Sequence, residues 1–335
     1  MRPLPPPGQP FRPPWWGRGA HVQTVLGGLL PSRAAPLPWE YVQISLPDGD
    51  ALCLRLLPGT SGVMVHLFHG LGGSADAGYL RRLSGILRHR GHGVALLNHR
   101  GAGEGRGLAA RPYHSGAMAD LSAAMALGRR RFPDHAQVAV GFSLSGNILL
   151  LLLGTADPGL CRPDAAIAVN PPADLEACSR RLLRGVNRFY DRHFVGALVS
   201  DVRARCAAGL IPPVAFPPRM TLRDFDALYT AAQAGFSSRD EYYRRCACGP
   251  HLQSITVPTV ILSAADDPFA PAEDLLARPR SPQVHLHVEP RGGHMGYLAA
   301  RPTPLGTRRW LDYALDHYLA RLLDNLREPE DPRTD

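Results

Sequence analysis

The chain has 335 residues, 45% hydrophobic and 20% charged, enough for a globular protein with a large buried core. Its net charge of +8 rests on arginine alone among the basic side chains, since no lysine occurs. The arginines are scattered (Arg81-Arg82, Arg129 to Arg131, Arg180-Arg181, Arg244-Arg245) without interleaved aromatics. That pattern argues against nucleic-acid binding, while peripheral contact with an anionic membrane surface stays compatible with the charge.

Residues 1–38 are rich in proline and read as an extended arm lying on the body, with Trp15 and Trp16 as the expected pins. Glu40 to Leu46 and Ala51 to Leu57 read as strands, and the Asp-Gly of Pro47 to Asp50 marks the hairpin between them. Val63 to Phe68 is a strand followed by a glycine loop and a helix from Gly78 to Arg90. Gly93 to Leu97 leads through a second glycine-rich loop to a helix from Met118 to Arg131. Two more strands follow, Gln137 to Phe142 and Ala165 to Val169. This alternation implies a parallel sheet with helices on both faces. From Ala173 to Gln253 the pattern is helices and loops without a buried strand, the place for a lid over the strand ends. Strands resume at Val257 to Leu262 and Val284 to Val288. The expected organisation is therefore a core of 39–172 and 254–327, a helical lid of 173–253, and a charged, frayed tail of 328–335.

The segment Val138 to Gly154 (VAVGFSLSGNILLLLLG) joins a short apolar run to a longer one through a glycine-serine turn. That order suits an exposed nucleophile, Ser143, on a strand-to-helix elbow, with the Leu144 N–H opening the helix toward a developing oxyanion. The usual G-x-S-x-G has Ser145 at its last position here, which predicts a tighter but workable turn. Two carboxylates, Asp266 and Asp267, follow the Val257 strand, and His294 follows the Val284 strand. Ser, Asp, His in that order, each beyond a strand end, is the chain order of α/β-hydrolases. Of the two acids, Asp267 heads the Asp-Pro-Phe-Ala-Pro turn and is the first choice, with Asp266 second. His69-Gly-Leu-Gly-Gly73 follows the Val63 strand, and its Leu71 N–H is the expected partner of Leu144 in an oxyanion hole.

These motifs make the chain resemble the YheT-like α/β-hydrolases, a branch related to the eukaryotic ABHD acylglycerol lipases and phospholipases. The resemblance runs over nearly the whole length. It includes Gly19-Ala-His-Val-Gln-Thr24, Asn98-His-Arg-Gly101, Tyr113-His-Ser-Gly116 with Asp120, and Asn170-Pro-Pro-Ala-Asp174. Phe225-Asp226, Gly235-Phe236 with Tyr242-Tyr243, and Gly293-His-Met-Gly296 belong to it as well. It implies an α/β-hydrolase fold, with a mostly parallel eight-stranded sheet and an inserted helical lid. It also implies carboxylic-ester hydrolysis through Ser143, His294 and Asp267, with no metal and no organic cofactor. Family members usually carry glycine at 145 and phenylalanine at 99, so Ser145 and His99 are departures that bear on substrate fit more than on chemistry.

The remaining histidines read as structural. His285 and His287 share a face of an edge strand and are expected to be exposed, with no third metal ligand nearby. His69 and His114 brace their loops, and Arg100 and Asp120 are candidates for a pair beneath the site that sequence alone does not establish. Six cysteines without C-x-x-C spacing read as reduced thiols. No secretion signal opens the chain, and no apolar run approaches the ~18 residues of a membrane span, so the expected compartment is the cytoplasm. The substrate expected is a small-molecule or lipid ester of medium to long chain, suggested by Phe189, Tyr190, Phe194, Phe225, Tyr229 and Phe236 in the lid segment, residues that fit the lid's own core equally well. Two other functions fit the same residues. One is an acyltransferase using the same acyl-enzyme, and the other is a non-catalytic binding protein on this fold.

Overall fold

Eight strands form one sheet in the order β1-β2-β4-β3-β5-β6-β7-β8. They are β1 (Glu40–Ser45), β2 (Ala51–Leu57), β3 (Val63–Phe68), β4 (Gly93–Asn98), β5 (Ala136–Phe142), β6 (Ala165–Val169), β7 (Thr259–Ala264) and β8 (Val284–Glu289). The computed structural model describes residues 4–32 and 34–327; the tail expected at 328–335 lies outside the described residues. Strand β2 is antiparallel to both of its neighbours, and the pairs from β4 to β8 are parallel. The hairpin between β1 and β2 turns through Gly49 at φ 87, a conformation that glycine reaches without a steric cost.

Side chains along the central strands alternate between two cores, as the period of two requires. Met64 and Phe68 of β3 point to the core shared with α3 (Met118–Arg131) and α4 (Leu144–Gly154). Val65 and Leu67 point to the opposite core, with α2 (Gly78–His89) and α11 (Trp310–Arg327). Leu149 to Leu153 are all buried, so this leucine run is packing and no lipid contact. Strand β7 starts two residues later than the apolar run suggests and continues through Ser263 and Ala264, which pair with Val288 and Glu289. Pro258, lacking an N–H, cannot donate to the ladder at the earlier position.

Between Ala173 and Gln253 the chain forms α5 (Leu175–Leu182), α6 (Arg188–Ala207), α7 (Leu222–Phe225), a π-helical turn (Asp226–Thr230), α8 (Ala231–Gln233) and α9 (Arg239–Cys246). A short α10 (Glu273–Leu276) follows β7. The segment has its own apolar cluster, built on Tyr190, Val202, Phe225 and Tyr229, and Phe269 of the sheet-edge loop joins it.

The N-terminal arm differs from the expectation in two ways. It contains a ten-residue helix, α1 (Ala20–Leu29), where the sequence suggested only extended chain. The proline density around it, two glycines near its end and the lack of a capping side chain hide the helical signal. Trp15 and Trp16 do not pin the arm, being 81% and 44% exposed; Leu4 and Phe11 do, buried in the α2–α11 core. The Phe11 ring meets Tyr297 and Trp310 at 5.7 and 5.5 Å between centroids. The Trp310 Nε1–H donates to the Gln9 carbonyl (2.8 Å). Nor are His285 and His287 exposed. His287 donates from Nε2 to Glu289 (2.9 Å) and accepts at Nδ1 from the Tyr318 hydroxyl (2.7 Å), and the His285 ring lies against Tyr318. Helix α11 covers this part of the edge strand. Because Phe11 is a core residue, Phe11→Ala is expected to lower the unfolding free energy by about 3–5 kcal/mol in a urea titration.

Candidate active site

The elbow joins β5 to α4 with Ser143 at φ 51 and ψ −115, a backbone state that an ordinary side chain occupies only when its surroundings enforce it. A Cβ on Gly141 would lie 2.5 Å from the Ser145 carbonyl oxygen, so this position has to be glycine. The Ser143 N–H donates to the Val169 carbonyl of β6 (2.8 Å), and the Ser143 carbonyl accepts from Asn147 (3.1 Å). These contacts fix the turn at both ends.

The Ser143 hydroxyl donates to His294 Nε2 (2.8 Å), and His294 Nδ1–H donates to Asp267 Oδ2 (2.7 Å). A carboxylate only accepts, which sets the tautomer: Nδ1 carries the proton and Nε2 has its lone pair toward the serine. Asp267 Oδ1 accepts from the amides of Phe269 (3.1 Å) and Ala270 (2.9 Å), while Asn170 Nδ2 donates to Oδ2 (2.8 Å). Burial alone would raise this carboxyl, but His294 and the two amides outweigh it and hold it below the ordinary value. Asp266 is not on the ring. Its Oδ1 accepts from the Gly293 N–H (2.9 Å) and so holds the loop that carries His294.

The amides of the loop after β3 differ in their partners. Gly70 N–H donates to the Tyr79 hydroxyl (3.2 Å), Gly72 N–H to the Tyr113 hydroxyl (2.8 Å), and Gly73 N–H to the Gly70 carbonyl (3.1 Å). Leu71 N–H and Leu144 N–H have no acceptor among the described residues. Both residues line the same cavity as Ser143, and a Cβ on Gly70 would lie 3.2 Å from that of Ser143. Two unengaged donors beside a nucleophile are what a developing oxyanion needs.

Beneath this loop lies a buried group that the sequence presented as separate oddities. Ser145 Oγ–H donates to the His69 carbonyl, and His99 Nε2–H donates to Ser145 Oγ (2.7 Å). Thus the two departures at 145 and 99 hydrogen-bond to each other. His69 donates from Nδ1 to the Gly70 carbonyl (2.8 Å) and accepts the His99 N–H at Nε2 (3.2 Å). The His99 ring stacks on Tyr113 at 4.9 Å. Arg100, next in the chain, binds Asp120 with two nitrogens (2.8 and 2.9 Å) and also reaches Asp48 and Asp50.

Residues beyond the expected set also hold the site. The Thr24 hydroxyl of α1 accepts the His294 N–H (2.8 Å), and Gln23 bonds Leu298 through both ends of its amide. Asn170 is itself oriented by the Tyr297 hydroxyl (3.0 Å). Thr24, Asn170 and Tyr113 all lie in motifs quoted above, but their spacing alone assigns them no role.

The cavity at Ser143 has a lining that includes the apolar residues Leu71, Leu144, Leu182, Phe194, Leu198 and Phe269. Of the six lid aromatics, which fit either a lipid contact or the lid's own core, only Phe194 lines it. Tyr190, Phe225 and Tyr229 are buried in the segment's own core, and Phe189 is exposed. Phe236 packs on His114 and Tyr242. Among the described residues no group of three or more His, Cys, Asp or Glu side chains could hold a metal ion. No helix among them is long and apolar enough to cross a membrane.

The alpha/beta hydrolase family model matches residues 63–305. The chain belongs to the α/β-hydrolase family. Within it, this hydrolase is 32% identical over 315 residues to the Escherichia coli (strain K12) protein named "Putative esterase YheT", covering 91% of each chain. It is 26% identical to the mouse monoacylglycerol lipase ABHD2, covering 90% of this chain and 77% of that one. Among solved structures, the Pyrococcus furiosus esterase Pf2001 superposes with a TM-score of 0.56 at 16% identity, over 89% of this chain and 97% of that one, a likeness of fold.

Two outcomes follow for the hydrolase. Ser145→Ala leaves the His69 carbonyl and the His99 Nε2–H unpaired in buried surroundings, and is expected to lower the unfolding free energy by about 1–3 kcal/mol. Combined with His99→Phe, the loss should be smaller than the sum of the two single changes, as a urea double-mutant cycle would read. Separately, burial holds His66, His99 and His114 neutral down to about 4, and His69 down to about 3. The unfolded chain binds these protons near 6.5 and the folded one does not, so stability falls as pH drops below about 6.5 toward 4. A urea midpoint that stays level between pH 7 and pH 4.5 would contradict this.

Proposed function

We propose that this α/β hydrolase cleaves carboxylic esters through an acyl-enzyme on Ser143, with His294 as general base and acid and Asp267 as its orienting carboxylate. The observation that carries the reading is the continuous run of hydrogen bonds from the Ser143 hydroxyl through the imidazole to a buried acid. As the hydroxyl oxygen attacks the ester carbonyl, its proton passes to Nε2, and Asp267 stabilises the imidazolium. The oxyanion forms between the Leu71 and Leu144 amides. His294 then protonates the leaving alcohol, and water repeats the sequence to release the acid. The apolar wall of the cavity supports an acyl group of medium to long chain. The names of the relatives, an esterase and a monoacylglycerol lipase, agree with ester chemistry. On this reading the helical segment 173–253 serves as a lid over a core of 39–172 and 254–327. Six free thiols support a reducing compartment such as the cytoplasm.

Incubation with a fluorophosphonate probe tests the proposal. The folded wild type should label, and Ser143→Ala should not. Asp267→Asn is expected to reduce kcat by roughly 10⁴-fold, the scale found when the orienting acid of a serine triad is lost. Full activity in Asp267→Asn together with its loss in Asp266→Asn would reassign the acid. Folded wild-type protein that never labels would leave a binding protein as the better reading.

A further inference from the structure

The polarity of α1 is inverted. A surface helix ordinarily turns its apolar stripe to the core and its charges to water. Here Gln23 and Thr24 turn inward, to Leu298 and to the His294 N–H, while Val22 and Leu29, two turns apart on one stripe, face solvent. The helix carries no charged side chain at all. Of the ten large hydrophobic side chains exposed among the described residues, half lie between 15 and 30, namely Trp15, Trp16, Val22, Leu29 and Leu30. Trp16 and Leu30 line one groove, so the two ends of this segment come together in space. The exposed Phe189 ring extends the patch, since it meets Tyr190, whose hydroxyl bonds His21 of α1 (3.0 Å). A contiguous apolar surface of this kind marks an interaction site.

The charge around the patch has a single sign. Residues 1–39 contain Arg2, Arg12, Arg18 and Arg33 and no acid, and residues 290–311 contain Arg291, Arg301, Arg308 and Arg309 and no acid. The two stretches pack together. The Arg12 carbonyl accepts the Ala300 N–H (2.8 Å), Arg291 donates to the Arg18 carbonyl (2.9 Å), and Arg309 donates to the carbonyls of Gly27 and Leu30 (2.8 and 2.9 Å). Arg12, Arg18, Arg291, Arg301 and Arg308 are exposed. A protein partner of mixed charge would set some of its own cations against these. A bilayer rich in anionic headgroups offers one sign throughout, with apolar tails beneath it for the side chains between the arginines. Indole rings settle at headgroup level, and arginine stems run along the apolar surface while their guanidinium groups reach phosphate.

We infer that α1 and the turn leading into it form a docking face for an anionic lipid bilayer, with Trp15, Trp16, Val22 and Leu29 in the headgroup layer and the flanking arginines on the lipid phosphates. The face belongs to the same helix that fastens the main chain of His294, so docking sets the candidate site beside the lipid. The inference does not depend on the ester-hydrolase reading, because its test reads binding alone.

The test mixes the full-length protein with vesicles of phosphatidylcholine alone, or with roughly one-third phosphatidylglycerol added. Binding is read by co-sedimentation and by quenching of tryptophan emission with brominated acyl chains. Roughly 10- to 100-fold tighter binding to the anionic vesicles is expected, weakening as salt rises. Trp15→Ser combined with Trp16→Ser should remove the quenching and weaken binding by about 10-fold, with an unchanged urea midpoint because both rings are exposed. Arg18→Glu should weaken binding more than Arg130→Glu, which makes the same charge change on α3, across the sheet from the arm. Ser143→Ala should bind as the wild type does, whatever the fluorophosphonate result. Failure to bind anionic vesicles, equal binding to both vesicle types, undiminished binding of the tryptophan variant, or equal effects of the two arginine changes overturns the docking face. A dimer in sedimentation equilibrium that Leu29→Ser splits, with no vesicle binding, would assign the face to a second copy of the chain instead.

Discussion

The elbow is the constraint on which the rest of this molecule depends. Ser143 holds a backbone state that its own side chain disfavours, and neighbouring structure has to keep it there. Part of that enforcement is steric: Gly141 and the Ser145 carbonyl are so close that only a hydrogen fits. Part is the helix that follows, whose eleven residues are all buried, so the turn cannot relax without exposing a core element. The strain presents the hydroxyl above the sheet and leaves the Leu144 amide unengaged. Both properties come from a single local geometry.

Around that point the protein uses hydrogen bonds to remove freedom. Asp267 meets three donors besides the imidazole, which leaves it one orientation. The loop after β3 has its other amides occupied, so Leu71 is the donor that faces the cavity. Ser145 and His99 belong to the same scheme. In place of an empty small-residue contact, the chain has a hydroxyl that ties α4 to the end of β3, and a neutral imidazole that satisfies it. Each change alone would leave a buried polar group without a partner; together they are consistent.

Much of this was legible in the sequence. Strands buried on both faces give dense apolar runs, and glycine loops at their ends mark the sheet edge, so the order Ser, Asp, His can be read along the chain. The choice between Asp266 and Asp267 was harder, because adjacent carboxylates differ only in which way the turn points them. Helix α1 was not legible, since its stability comes from docking Gln23 and Thr24 on the histidine loop and not from helix propensity. The tryptophans misled for a related reason: their size suggests burial, but the arm's register gives that role to Leu4 and Phe11. The His99–Ser145 contact joins positions 46 residues apart, and no local pattern announces it.

The docking of α1 has a consequence for how the molecule comes into being. The main chain of His294 is held by a hydroxyl that lies 270 positions earlier, and Gly296 packs against Gly27 so tightly that a Cβ there would collide. During synthesis the arm leaves the ribosome long before the histidine loop. The nucleophile's elbow can therefore be complete while the proton acceptor has nowhere to sit, and helix α1 and the histidine loop must meet before the molecule is competent.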